Sequence, residues 1–184
     1  MNRNRLFSPA SLTIMAMMIA LLSASSYVSI PLPFTSARIT ATTMVVNIIG
    51  LLLTPAQALT VSLGWFLIGL FGVPVFSGGI AGPAKLFSAG GGYFIGFIVN
   101  AFLISLFSGK VRNMKARLAF LIVIGIPVVY LFGAAWMKLV TGQPWPAVIL
   151  QSVLPFIPLD IVKCVAAVIV AKALSATGLF AGGR

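Results

Sequence analysis

Six apolar segments divide this chain, and they restrict its fold more than any other feature of the sequence. Only 7% of the residues are charged, against about 25% in soluble domains. A helix that crosses a bilayer needs about 20 predominantly apolar residues. We therefore predict an all-α integral membrane protein, a single membrane domain over residues 1–184, with six transmembrane helices at roughly 12–30, 40–53, 56–72, 92–108, 118–140 and 158–174.

Two of these segments allow another interpretation. The second and third are short and meet at Thr54-Pro55, so they could form one broken helix, although this turn-forming pair favours two spans. The first follows Arg3 and Arg5 and could be a signal peptide. We prefer a retained first span, because its apolar run continues to residue 30 and six spans give a consistent topology.

Lysine and arginine residues set the predicted orientation. Basic residues precede the first segment, four more lie in KVRNMKAR after the fourth, and Lys172 and Arg184 flank the end of the sixth. Six spans place these positions on one side, which the positive-inside rule makes the cytoplasm. Both termini are therefore predicted to be cytoplasmic. On the other side, structured outer loops containing PLPFTSAR, PVFSGGIAGPAKLFSAGG and TGQPWPA are predicted to cap a ligand cavity.

The composition excludes most enzyme chemistry. The chain has no histidine, one cysteine (Cys164) and one acidic residue (Asp160), so it lacks paired carboxylates, an internal disulfide and the common zinc ligand sets. No G-x-x-x-x-G-K-[ST] motif occurs, so the chain has no P-loop. The net charge of +11 belongs to residues beside apolar segments, which makes nucleic acid an unexpected partner. We predict no enzyme activity, no catalytic residue, no metal and no cofactor.

The one acidic side chain lies in PFIPLDIVK, at the start of the sixth apolar segment. Burying a charge in hydrocarbon costs about 2.5–3.5 kcal/mol on insertion scales. Residues three apart share a helix face, so Asp160 and Lys163 point the same way. They could form an ion pair that only fixes helix packing. The alternative is a ligand site for a small molecule with both N–H and C=O groups, and the position beneath the outer loops favours the site.

Other side chains could complete such a site. Arg38 and Lys85 could each bind a carboxylate, although either could be an interfacial anchor. Three aromatic residues could line an apolar pocket, or could serve only in packing: Tyr93, Trp65 and Phe34.

The first segment carries small residues at a spacing of four, namely Ala16, Ala20 and Ala24. Such a stripe lets another helix approach closely. It could pack within this chain or could dock a separate membrane subunit, and we predict the docking role.

Four stretches also carry a family pattern: SIPLPFTSARIT, GLFGVPVFSGG, GGYFIGF and PFIPLDIVK. In this order, across most of the chain, they resemble the BioY family, the substrate-binding S components of biotin transporters of the energy-coupling factor (ECF) class. The chain departs from the family pattern at Ser36-Ala37-Arg38, at Ser88-Ala89-Gly90 and at Leu159, where the family usually has glycine.

The resemblance implies a protein of the prokaryotic cell membrane that binds biotin from outside with high affinity. It implies that Asp160 and Lys163 contact the biotin head group and that the alanine stripe meets a transmembrane coupling protein, the T component, which works with two ATP-binding cassette ATPases. The lipid bilayer is the remaining expected partner. The alternatives are an S component for another vitamin, a self-sufficient carrier that uses Asp160 as a proton relay, and, least favoured, an intramembrane enzyme.

Overall fold

The computed structural model describes residues 8–31, 33, 38–111 and 113–180, and over these residues the chain is mostly helical. One short antiparallel hairpin pairs strand β1 (Ser29–Pro31) with strand β2 (Arg38–Thr40). The helices are α1 (Pro9–Ser25), α2 (Thr42–Leu52), α3 (Pro55–Leu70), α4 (Gly92–Ser108), α5 (Met114–Thr141), α6 (Trp145–Ser152) and α7 (Ile157–Ala176). A 3-10 turn, Pro83–Lys85, lies between α3 and α4.

Helix α2 occupies the centre of the bundle. All but one of its residues are buried, as expected of a helix that is apolar on every side. It packs principally against α4 and α7, with α1 and α3 also in contact, while α4 additionally packs against α3 and α5. The core of the bundle lies around α2, and Leu22, Ile49, Trp65 and Ile104 are among its fully buried side chains.

Polar side chains separate α2 from α3. The Thr54 hydroxyl accepts from the backbone N–H of Gln57, and the Gln57 side chain accepts from the backbone N–H of Thr54. This capping box, followed by Pro55 in the first turn, satisfies N–H groups that would otherwise be unpaired. The two short segments therefore form separate helices rather than one broken helix.

The structure differs from the predicted segments in two places. The first segment was predicted to run to residue 30, but α1 ends at Ser25 and residues 29–31 form strand β1. Helix α6 lies in the stretch predicted to be an outer loop. Pro144 directly precedes it and Pro146 lies in its first turn, where proline is tolerated.

Helix length bears on the number of membrane spans. Helix α5 is 28 residues long and apolar enough to cross a bilayer, and it contains a π turn at Leu121–Gly125. Helices α6 and α7 pass the same criteria only when taken together, and they are bent by 44° at their junction. The other four apolar helices have 11 to 17 residues, less than the about 20 of a typical span. The count of six spans therefore stays a prediction.

Candidate functional site

Asp160 and Lys163 form an ion pair in the first turns of α7. The Lys163 Nζ lies 2.7 Å from Oδ1 of Asp160, as their three-residue spacing predicts. Asp160 is only 4% exposed, and its backbone N–H donates to the carbonyl of Phe156 at 2.9 Å. The pair is thus fixed at the end of α7 nearest α6, with the carboxylate inside the bundle.

A tyrosine from α5 completes the surroundings of the carboxylate. The Tyr130 hydroxyl donates to Oδ2 of Asp160 at 2.7 Å, so each carboxylate oxygen has one partner. Lys163 uses one of its three N–H donors in the ion pair. The spare lone pairs of Asp160 and the spare N–H groups of Lys163 leave the pair able to accept and donate further hydrogen bonds.

The ion pair lines a pocket that we call the Asp160 pocket. It spans about 590 Å³ of space between atoms, including solvent at its open side. Besides the ion pair, its lining comprises Arg38, Thr40, Thr43, Ser77, Lys85, Gly90, Tyr93, Phe94, Phe97, Val129, Tyr130 and Phe156. The starts of α2, α4 and α7, together with the hairpin and the 3-10 turn, therefore meet at one end of the bundle.

Aromatic rings form one wall of the Asp160 pocket. The Tyr93 ring lies 6.5 Å from Phe97 and 6.4 Å from Phe156, measured between centroids. The Tyr93 hydroxyl donates to the carbonyl of Ser152, which ties α4 to α6. Glycine at 133 is required for this arrangement, because a Cβ there would lie 2.6 Å from the Tyr93 ring. Apolar and polar groups are thus set side by side, as ligand sites require.

Two cations, Arg38 and Lys85, lie together in the lining. Burial and the positive charge of Arg38 both lower the pKa of Lys85 from its usual value. Gly78 allows the approach of Arg38, because a Cβ there would lie 2.8 Å from the guanidinium, and its φ of +82° favours glycine. The one acidic side chain of the sequence already has two partners, so this cation pair is suited to an anionic group of a ligand.

Of the seven candidate ligand-binding residues, five line the Asp160 pocket and Trp65 does not. Trp65 is buried behind the pocket wall, 5.7 Å from Phe94 between ring centroids, and its Nε1 donates to the carbonyl of Val75. Phe34 lies outside the described residues. The prediction did not include Tyr130. The sequence does carry one signal for Tyr130: its hydroxyl lies in an apolar segment, and a buried tyrosine hydroxyl needs a hydrogen-bond partner.

A cluster of three hydrogen-bonded side chains lies one helical turn below the Asp160 pocket. Asn100 donates from Nδ2 to Oδ1 of Asn47 at 3.1 Å, and Asn47 donates to the Cys164 sulfur at 3.5 Å. These positions follow Phe97, Thr43 and Asp160 by three or four residues on their helices. The two buried asparagines therefore satisfy each other in part across α2 and α4, and Oδ1 of Asn100 has no partner among the described residues.

The alanine stripe lies on the exposed side of α1. Ala16, Ala20 and Ala24 are exposed, whereas Met18 and Leu22 on the opposite side are buried in the core. The stripe is thus not consumed by packing within the described part of the chain. Its role in docking stays a prediction.

The Asp160 pocket, with its polar groups and aromatic wall at one end of a helical bundle, is typical of a protein that binds a small molecule. The chain belongs to the BioY family: the model of this family matches residues 1–178. This confirms the resemblance identified in the sequence. The family consists of transporter S components, so the chain is a transporter component and not an enzyme.

Individual relatives agree with the family assignment. A probable biotin transporter BioY of Pyrococcus horikoshii is 33% identical over 165 residues, 88% of this chain and 94% of the relative. A biotin transporter of Lactococcus lactis subsp. cremoris is 30% identical over 165 residues, 89% of each chain. The crystal structure of the S-component for biotin from an ECF-type ABC transporter is 27% identical and superposes with a TM-score of 0.89 over 100% of both chains.

Proposed function

We propose that this chain is the biotin-binding S component of an ECF-type transporter in a prokaryotic cell membrane. The observation that carries the proposal is the Asp160–Lys163 ion pair with its spare hydrogen-bonding capacity. It lies in a pocket of a BioY-family chain whose fold matches, over its full length, the S-component for biotin. Biotin supplies the three kinds of group that the pocket lining can bind.

The ureido ring of biotin suits the ion pair. Its N–H groups would donate to the Asp160 carboxylate, and its carbonyl would accept from the free N–H groups of Lys163. Tyr130 would hold the carboxylate from the side opposite Lys163, as its hydroxyl does in the free protein. Hydrogen bonds to charged groups contribute about 1.5–3 kcal/mol each, and burial at 4% exposure makes an unpaired group costly.

The remaining parts of biotin suit the remaining lining. The apolar bicycle would contact the wall formed by Tyr93, Phe97 and Phe156. The valerate carboxylate would lie at Arg38 and Lys85, which have no acidic side chain to neutralise them. We therefore propose these two cations as the carboxylate-binding residues.

The membrane arrangement of the proposal follows the sequence. Six spans with both termini in the cytoplasm would place the Asp160 pocket at the outer surface, where the hairpin, the 3-10 turn and α6 would cap it. The sequence has no P-loop, so the energy for import has to come from partners. We propose that α1 docks the T component through Ala16, Ala20 and Ala24, and that two ATP-binding cassette ATPases drive the cycle.

Equilibrium binding of radiolabelled biotin to the detergent-purified chain tests this function. The Asp160→Asn and Lys163→Ala variants should each bind about 10- to 100-fold more weakly, because each loses a charged hydrogen-bonding partner of the ligand. Lys110→Ala is the matched control, since Lys110 is exposed and lies outside the pocket lining. It should bind biotin as the unaltered protein does.

Three results would contradict the proposal. If other vitamins displaced the labelled biotin at equal concentration, the chain would be an S component for a different ligand. If liposomes containing only this chain accumulated substrate in response to a pH gradient, it would be a self-sufficient carrier in which Asp160 relays protons. Full biotin affinity in a folded Lys163→Ala variant would move the head-group site elsewhere.

A further inference from the structure

A second pocket lies at the end of α7 opposite the ion pair. It is lined by Met114 and Arg117 from the start of α5 and by Val168 and Lys172 from α7, and we call it the basic pocket. Lys172 follows Asp160 by twelve residues, which corresponds to about 18 Å along a helix. The basic pocket therefore belongs to the other end of the bundle and has no part in the Asp160 pocket.

Within the described part of the chain, the cations of the basic pocket have no acidic partner. Arg117 donates from Nε to the carbonyl of Val111 at 2.8 Å, which fixes the guanidinium, and no described residue accepts from its terminal nitrogens. The only acidic side chain of the sequence is Asp160, which is bonded to Lys163 and Tyr130. The N-terminal end of α5 adds the partial positive charge of a helix start. The basic pocket is therefore suited to an external anion.

An apolar groove follows the same two helices away from the basic pocket. Ile122 and Ile126 from α5 and Ile157 and Ile161 from α7 line it, together with residues of α6. On α7, positions 157, 161, 168 and 172 are spaced by four, seven and four, so they form one stripe on one helix face. The lining of the groove is almost entirely apolar, whereas the last residue of the stripe, Lys172, is a cation.

We propose that an anionic phospholipid binds along α5 and α7, with its phosphate in the basic pocket and an acyl chain in the apolar groove. The proposal rests on the membrane placement given above, in which this end of the bundle is cytoplasmic. Basic pockets between helices on the cytoplasmic side are suited to anionic lipid head groups. On α7 the groove begins at Ile161, seven residues or about 10 Å from Val168 of the basic pocket, a distance that an acyl chain spans. The groove favours a lipid over free phosphate, because a free anion makes no use of apolar surface.

The position of the groove also distinguishes it from the proposed docking surface. The alanine stripe belongs to α1, which packs principally against α2 and α3, whereas α5 packs principally against α4. Leu131 in the groove is 67% exposed, and Val123, next to the groove residue Ile122, is 69% exposed. A surface of this kind is suited to hydrocarbon.

Native mass spectrometry of the detergent-purified chain tests the proposal, using phosphatidylglycerol and phosphatidylcholine with the same acyl chains. One phosphatidylglycerol should bind at least tenfold more tightly than phosphatidylcholine. Arg117→Gln and Lys172→Gln should each weaken its binding about fivefold, and together about 25-fold. A basic residue contributes about 1 kcal/mol to attraction to anionic lipid, which corresponds to about a factor of five in affinity. Lys115→Gln is the matched control, because Lys115 is exposed on the same turn and does not line the basic pocket.

Two further experiments test separately the acyl-chain groove and the phosphate site. Ile161→Trp, at a position that is 39% exposed, should fill the groove and weaken phosphatidylglycerol binding while leaving the cations in place. Glycerol phosphate, which has no acyl chain, should compete poorly. Equal binding of glycerol phosphate and phosphatidylglycerol would overturn the lipid assignment in favour of a soluble phosphate.

Other results would overturn the proposal outright. Equal affinity for the two lipids would do so without any variant, and so would unchanged lipid binding in the Arg117→Gln, Lys172→Gln double variant. If that variant kept the lipid but lost co-purification with the T component, the basic pocket would be a protein interface. Biotin affinity of each sample separates the two proposals: lipid binding without biotin binding contradicts only the proposed function, and the reverse contradicts only the lipid site.

Discussion

Replacing Tyr130 by phenylalanine tests how the buried carboxylate is held. The substitution removes one oxygen atom and leaves the ring, so packing is conserved while Oδ2 of Asp160 loses its donor at 2.7 Å. Asp160 is 4% exposed, which leaves water little access to replace the hydroxyl. A hydrogen bond to a charged group contributes about 1.5–3 kcal/mol, so the free energy of unfolding should fall by about 2 kcal/mol.

The same substitution should weaken biotin binding about tenfold. In the free protein, Lys163 and Tyr130 hold one carboxylate oxygen each, so the acceptor is oriented before the ligand arrives. Without the hydroxyl, the ligand would have to order Asp160, and about 1.4 kcal/mol of lost preorganisation corresponds to a factor of ten. Thermal unfolding in detergent and equilibrium biotin binding measure the two effects on the same preparation.

Tyr27→Phe is the control, because the Tyr27 hydroxyl also donates a hydrogen bond, to the carbonyl of Pro74 at 2.6 Å, but at an exposed site. Water can replace that bond, so stability and affinity should change little. Tyr130→Phe should also have a much smaller effect in the Asp160→Asn background, because interacting residues are non-additive. Wild-type stability and affinity in Tyr130→Phe, or equal effects in both backgrounds, would refute a positioning role for Tyr130.

Two further predictions concern the pocket wall and the cation pair. Gly133→Ala should lower the free energy of unfolding by about 1–3 kcal/mol, because its Cβ would lie 2.6 Å from the Tyr93 ring. Gly109→Ala, with open space around the added Cβ, should change the thermal unfolding temperature little, and similar losses in both would contradict the packing argument. Biotin affinity should fall as the pH rises through the lowered pKa of Lys85, because the lysine loses its charge while the ligand carboxylate stays anionic. A Lys85→Gln variant that kept the same pH dependence of biotin binding would assign the titration to another group.

The local parts of the site were predictable from the sequence. The three-residue spacing of Asp160 and Lys163 predicts a shared helix face, and the structure joins them at 2.7 Å. Arg38 and Lys85, singled out as cations in the predicted outer loops, line the same pocket. In each case the signal was a charge in or beside an apolar segment. A charge next to hydrocarbon must either pair with another group or face a cavity, so its position can be predicted from the sequence.

The long-range parts were not predictable in the same way. Tyr130 is 30 residues from Asp160, and a single sequence does not say which of its buried polar groups meet across helices. Trp65 was predicted from its residue type, but Phe94 and Phe97 lie between it and the pocket. Helix α6 is eight residues long with two prolines in or next to its first turn, so its composition resembles that of a loop.

The balance of charge in the Asp160 pocket explains why an ion pair persists in so apolar a chain. A buried pair that was fully satisfied by its own members could often be replaced by packed apolar residues without loss of stability. Here the pair is only partly satisfied. The carboxylate has one partner per oxygen, and the ammonium uses one donor of three. The unused lone pairs and N–H groups belong to side chains that line the Asp160 pocket, where a ligand can reach them. A ligand with only donors or only acceptors would leave half of the pair unpaired in a site that water enters poorly, which would weaken its binding. The arrangement therefore selects molecules that carry N–H and C=O side by side, and the ureido ring of biotin is such a group.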